Sequence, residues 1–183
     1  MENAFMEGEK IYLRPIDLND VDLFCDCINS LDVRYTFFTS FPTNRSRQDD
    51  LLKNLYKEKD YIPFAIVAKD TDEAVGVTAF HRIDYVSKAA IFSIIVTKAE
   101  NWGKGYGSEA TKLMVDYGFE ILNLNRIQLH VFAGNERGIK AYEKAGFVKE
   151  GLLREAMYHN NEYCDFYVMG ILRKEYYKNK TSE

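Results

Sequence analysis

Glu100-Asn-Trp-Gly-Lys-Gly-Tyr-Gly-Ser-Glu-Ala110 lies between an apolar run, Ile91 to Val96, and a segment with Ala110, Leu113, Met114, Tyr117 and Ile121 at spacings of three and four. That spacing predicts a helix. Gly103, Gly105 and Gly107 therefore occupy a strand-to-helix turn, with no side chains between the backbone and whatever binds there. Bare N–H groups at a helix N-terminus, aligned with its dipole, favour an anion such as a pyrophosphate. Glycines also make tight turns for purely conformational reasons, so the stretch needs support from elsewhere in the chain. Two nucleotide motifs compete for it. The triphosphatase loop requires four residues between its first Gly and a Gly-Lys-Ser/Thr, and no such run is present. Gly105 to Ala110 does fit a relaxed dinucleotide pattern, Gly-x-Gly-x-x-Ala. However, the next strand candidate, Ile127 to Phe132, does not end in the acid a ribose requires, and the next acid, Glu136, falls inside the following helix.

Upstream of the turn, Ile62 to Lys69, Val75 to Asp84 and Ala89 to Thr97 read as three strands of an antiparallel meander. Before them, Lys10 to Ile16 suits a first strand. Asp17, with Asp20 three residues on, caps a helix whose apolar face is Val21, Phe24, Cys25 and Ile28. Leu31 to Asn44 reads as an irregular aromatic loop, in which Tyr35, Phe37 and Phe38 are candidate walls of a substrate cleft. Ser46 opens a second helix with Asp49 as its capping-box acid and Leu51, Leu52, Leu55 and Tyr56 as its buried face. Downstream, a helix runs from Lys104 to Leu122 and a strand from Arg126 to Ala133. Asn135 caps a short helix stopped by Gly146, and a final hairpin turns at His159 to Asn161. The tail from Arg173 reads as an exposed helical turn and a frayed end.

The order βααβββαβαββ predicts an α/β (α+β) fold, with a mixed, mostly antiparallel sheet of about seven strands and helices on both faces. Strand–helix–strand across residues 91 to 132 implies a parallel pair with a right-handed crossover, placing the glycine turn where open sheets bind ligands. The whole chain, residues 1–183, is expected to be one domain.

The 183 residues carry a formal net charge of −4 and 28% charged residues. With no dominant basic stripe, nucleic acid is not an expected partner. No apolar run approaches a membrane span, and the start of the chain lacks the apolar core of a signal peptide. Cys25, Cys27 and Cys164 lack metal spacing and read as reduced, buried cysteines of a cytoplasmic protein. Three scattered His give no metal site.

Trp102 to Ala110, followed by Asn135-Glu-Arg-Gly-Ile-Lys-Ala-Tyr-Glu-Lys-Ala-Gly-Phe147, resembles the GNAT superfamily of acetyl-CoA-dependent N-acetyltransferases. Leu13-Arg14-Pro15 is similar to the branch holding ribosomal-protein and spermidine acetyltransferases. The resemblance implies acetyl transfer from acetyl-CoA to a primary amine (a polyamine, another small-molecule amine or a peptide N-terminus) by direct attack in a ternary complex. It implies that Trp102, Gly103, Lys104, Gly105, Tyr106, Gly107 and Ser108 hold the coenzyme pyrophosphate, with Lys104 adding charge. It also implies that Ile94, Ile95 and Val96 pair with the pantetheine arm on a strand that bulges and splays from the next. Asn135 contacts that arm, Lys144 belongs to the same block, and Tyr142 is the general acid.

Two positions depart from the family pattern. Trp102 stands where Gln or Arg is usual, and Gly138 where the ribosomal-protein branch has Ser. The strand expected to receive a polyamine through acids carries Ala79, His81 and Arg82 instead. No carboxylate lies in Ala89 to Val96, which leaves His81, Ser93 and His130 as candidate bases, and His81 and His130 are also candidate substrate contacts. A non-catalytic acyl-CoA-binding module on the same fold is the alternative reading, a dinucleotide enzyme a third. The oligomeric state, including a homodimer, stays open.

Overall fold

The computed structural model describes residues 3–181. Eight strands form one sheet in the order β1-β2-β3-β4-β5-β6-β8-β7. They are β1 (Met6–Glu7), β2 (Ile11–Pro15), β3 (Ile62–Ala68), β4 (Ala74–Asp84), β5 (Ala89–Val96), β6 (Arg126–Phe132), β7 (Val148–His159) and β8 (Glu162–Leu172). All neighbours are antiparallel except β5 and β6. The fold is the mixed α/β arrangement anticipated, with one more strand, since two-residue β1 is too short to leave a periodic signal.

The helices are α1 (Val21–Asn29), α2 (Leu31–Phe37), α3 (Arg45–Asn54), α4 (Tyr106–Asp116), α5 (Glu136–Lys144) and α6 (Arg173–Lys180). Alternating strand residues divide the core into two layers. Ile11, Phe64, Phe80, Phe92 and Leu129 pack with Met114 of α4, Ile139 of α5 and Tyr176 of α6. On the opposite face Tyr12, Ala65, Val67 and Val77 pack with Phe24 of α1 and Leu52 of α3. α4 ends in a π-helical turn, Tyr117–Ile121.

Several local expectations change. Leu31 to Phe37 is helical, not irregular; it ends at Phe38, whose φ of 57° and ψ of 39° are left-handed. α3 is capped two residues earlier than expected, by Asn44 accepting the Arg47 N–H at 3.0 Å. Leu52 and Leu55 are its buried face, whereas Leu51 and Tyr56 are exposed. The Tyr56 hydroxyl instead accepts the Ile16 N–H at 2.7 Å. Of the cysteines only Cys27 is buried; Cys25 and Cys164 are half-buried and all three are free. The tail forms α6, which buries Tyr176 against Phe119.

Candidate active site

β5 and β6 pair only from Ala89–Ile91 to Arg126–Gln128. Beyond that point β5 follows β4 to Val96 while β6 follows β8 to Phe132. Each strand is held by its outer antiparallel neighbour, so the sheet parts between them. The gap widens into a cavity of about 760 Å³. Phe92, Ile94 and Tyr142 line it from the α4 and α5 side; Val33, Thr36, Phe37 and Ser93 line it from the α2 side. It is therefore a passage through the sheet. The splay matches expectation; the bulge does not. β5 keeps unbroken register with β4 from Ile91 to Val96, and the extra residue lies in β4 between His81 and Asp84, where Arg82 has φ 48°.

Antiparallel strands direct the N–H and C=O of one residue to the same side. The Thr97 N–H and Ser93 carbonyl face β4, so the backbone groups of Ile94 and Val96 face the cavity. The Val96 carbonyl is taken by the Trp102 indole N–H at 2.9 Å. Ile94 and the Val96 N–H remain an open strand edge, the surface on which an extended arm can pair by β-augmentation.

The glycine turn closes one end of the passage. Gly103 and Gly105 have φ of 77° and 93°, conformations that glycine adopts without steric cost. The first intrahelical bond of α4 runs from the Glu109 N–H to the Gly105 carbonyl, and no side chain caps the helix. The N–H groups of Tyr106, Gly107 and Ser108 are thus an uncapped anion cradle. The open edge and the cradle together fit a long, flexible ligand ending in a pyrophosphate.

Across the passage, the Asn135 side chain caps α5 by accepting the Gly138 N–H at 3.0 Å. That role is structural, and it leaves the amide NH₂ for a ligand. Two turns on, Tyr142 packs edge-on against Phe92, centroids 6.3 Å apart, and against Phe147 at 6.1 Å. Among the described residues its hydroxyl has no hydrogen-bond partner, and burial pushes the phenol up to about 12. Tyr142 is thus a cavity-wall donor that stays protonated at neutral pH.

Residues 10–148 match the family model of the acetyltransferase (GNAT) domain. The chain belongs to the GNAT family. It is an N-acetyltransferase, and acetyl-CoA is its acetyl donor. Among similar GNAT proteins, the N-acetyltransferase p20 of Bacillus licheniformis is 34% identical over 171 residues, covering 92% of this chain and 96% of its own. The spermidine N(1)-acetyltransferase of Vibrio cholerae is 35% identical over 130 residues, 69% of this chain and 75% of its own. The crystal structure of a spermidine N-acetyltransferase from Vibrio cholerae with CoA and spermine superposes with a TM-score of 0.85 at 27% identity, covering 93% of this chain and 99% of that one.

The cavity brings together most of the residues expected of a GNAT site. Ile94, Ile95 and Val96 line it from β5, and Trp102, Gly103, Gly105, Tyr106, Gly107 and Ser108 from the turn. Asn135, Tyr142 and Lys144 line it from α5, with His130 from β6 and Phe37 from α2. Three do not reach it. Lys104 is not among the lining residues, and its ammonium lies over the Tyr106 ring, 5.7 Å from its centroid. Phe38 is buried against Phe132 and Phe166, both at 5.1 Å, supporting the wall from behind. His81 sits behind Ser93. The Tyr35 side chain lies outside the described residues.

Sequence reading missed Arg137, whose guanidinium stacks on Trp102 at 4.0 Å and joins the two walls of the passage. A cation in the first turn of a helix opposes the macrodipole, and that was the available signal. Trp102→Phe removes the donor to the Val96 carbonyl, an interaction of about 1 kcal/mol. Coenzyme A affinity is expected to fall roughly fivefold, measured by calorimetry, with a smaller effect on kcat.

Proposed function

We propose that this GNAT enzyme transfers the acetyl group to a primary amine by direct attack, with Tyr142 as general acid and the whole chain acting as one acetyltransferase domain. The observation that carries the reading is the open edge of Ile94 and Val96 running from the glycine cradle towards Tyr142. Acetyl-CoA supplies an activated thioester. The cradle holds its pyrophosphate, the β5 edge orients its arm, and Tyr142 delivers a proton to the departing sulfur.

The acceptor side favours a monoamine with an apolar body. Val33, Thr36, Phe37 and Phe132 line the cavity there, and Asp32, at the start of α2, accepts the Ala99 N–H at 3.2 Å. Glu136 is the only carboxylate among the described lining residues, and it is accompanied by Arg137, Lys140 and Lys144. A polyamine needs several carboxylates to offset its desolvated charges. The prediction is tested by thiol release with benzylamine, spermidine, an aminosugar and a dipeptide. Benzylamine is expected to exceed spermidine in kcat/KM by roughly tenfold, the ratio corresponding to one uncompensated charge of about 1.4 kcal/mol. Faster turnover of spermidine would reassign the acceptor class. Coenzyme A binding without thiol release from any amine would instead support a non-catalytic acyl-CoA module.

A further inference from the structure

We infer that Ser93 and His81 form a proton-accepting relay on the acceptor side, in which the incoming ammonium passes its proton through the Ser93 hydroxyl to His81. The inference rests on the acetyl-transfer reading above and deepens it. Only a neutral amine can attack the thioester, most aliphatic amines arrive protonated, and β5 carries no carboxylate to deprotonate them.

The geometry is specific. Ser93 lines the cavity on the strand that carries the open edge. Its Oγ lies 2.5 Å from Nε2 of His81, on the neighbouring strand. Because Ala79 pairs with Ser93 and Ile91 with His81, the two side chains meet diagonally on the same face of the sheet. The Tyr61 ring lies against the imidazole, centroids 4.8 Å apart, and shields it from solvent. In the neutral tautomer with its hydrogen on Nδ1, Nε2 accepts from the hydroxyl.

The surrounding charges keep that acceptor available. Burial, then the neighbouring Arg82, hold His81 below the ordinary histidine value, against a smaller opposing pull from Asp60. Tyr61 and, beyond it, Cys27 are each pushed up to about 12 by burial. Neither competes for the proton near neutral pH. His81 is therefore neutral at pH 7, which is the form a relay requires. It does not itself border the cavity, so it takes up the proton only through Ser93.

The protons balance without any further reactant. The ammonium gives one proton to the Ser93 oxygen as the Ser93 hydrogen moves to His81, leaving a neutral amine. The amine nitrogen bonds to the acetyl carbon and the carbon–sulfur bond breaks. The thiolate takes the Tyr142 hydrogen, and the phenol oxygen recovers one from the acetylated nitrogen. His81 then loses its proton to solvent, so ammonium and thioester give amide, thiol and one released proton.

Two probes of similar shape separate this role from a structural one. At pH 7 benzylamine is protonated and O-benzylhydroxylamine is already neutral. His81→Gln and, separately, Ser93→Ala are expected to lower kcat for benzylamine by about 10²-fold, the lower range for general-base help. The loss for O-benzylhydroxylamine should be at least about tenfold smaller. The wild-type kcat for benzylamine should fall on the acid side as His81 takes up its proton, below about pH 6.5, and this limb should disappear in His81→Gln. Equal losses with both probes, or an unchanged acid limb, overturn the relay while leaving the acetyl-transfer reading intact. Absence of thiol release from the wild type with both probes overturns the acceptor reading and the relay with it.

Discussion

Tyr142→Phe is expected to lower kcat by about 10²–10⁴-fold, the usual contribution of a positioned acid, with no change in coenzyme A affinity. The substitution is clean because the hydroxyl has no hydrogen-bond partner among the described residues, while the ring contacts with Phe92 and Phe147 survive in phenylalanine. Stability should therefore hold. The single tryptophan of the chain, Trp102, lines the cavity, so its fluorescence is expected to change on coenzyme binding. Thiol release gives the rate and Trp102 titration gives the affinity of the same variant. A mutant that binds the coenzyme normally and retains full turnover would remove Tyr142 from the chemistry.

The pH dependence follows from the raised phenol. A group held near 12 keeps its proton well above the ordinary tyrosine value of about 10. Loss of the acid form therefore does not limit kcat anywhere near neutrality. The same value makes a free tyrosinate costly in this wall. In the mechanism proposed for Tyr142, proton donation to sulfur is therefore coupled to recovery of a proton from the acetylated nitrogen, which is far more acidic than the phenol.

The geometry of the proposed coenzyme half of the site was legible because each of its parts has a local cause. Glycines at φ 77° and 93° announce the turn, and the Asn135 cap and the Gly146 stop mark α5. The parallel pair follows from the crossover helix alone. The acceptor half was less legible, since its walls arise from tertiary packing. α2 ends at Phe38, where the left-handed conformation offers no glycine signal and costs roughly 1–2 kcal/mol. Packing of that ring on Phe132, His159 and Phe166 offsets the cost. Nothing in Leu31 to Phe37 alone records those partners.

Trp102 shows the same division. Its place in the turn was readable from the glycines around it, and its bond to the Val96 carbonyl was not. The donor and acceptor are six residues apart, but they meet only because the turn folds back over the strand end. Similarly, Ser93 and His81 were separate candidate bases in the sequence. Strand register is what joined them.

Asp20→Ala carries the largest expected stability loss. The Asp20 carboxylate binds the Arg14 guanidinium through two bonds of 2.7 Å and accepts the Asp17 N–H at 2.7 Å. Asp20 is 6% exposed and the Arg14 side chain 20%. Removing one member of a buried pair strands the other charge, at about 3–5 kcal/mol. Partial exposure of Arg14 puts this case near the lower end. About 3 kcal/mol corresponds to a Tm lower by roughly 6–12 °C for a chain of this size. Asp20→Asn keeps an acceptor for the cap while losing the charge, so it should lie between wild type and Asp20→Ala. Replacing both residues, Arg14→Met with Asp20→Leu, should recover part of the loss, since no charge is then left buried. A Tm within about 2 °C of wild type for Asp20→Ala would show the pair to be solvated and of surface strength. The effect on function has a direction too. The pair ties the start of α1 to β2, and α1 runs through Ser30 into α2, which supplies Val33, Thr36 and Phe37 to the acceptor wall. The glycine cradle belongs to the other face of the sheet. At temperatures where the variant is folded, Asp20→Ala should raise KM for the amine before it weakens coenzyme A binding.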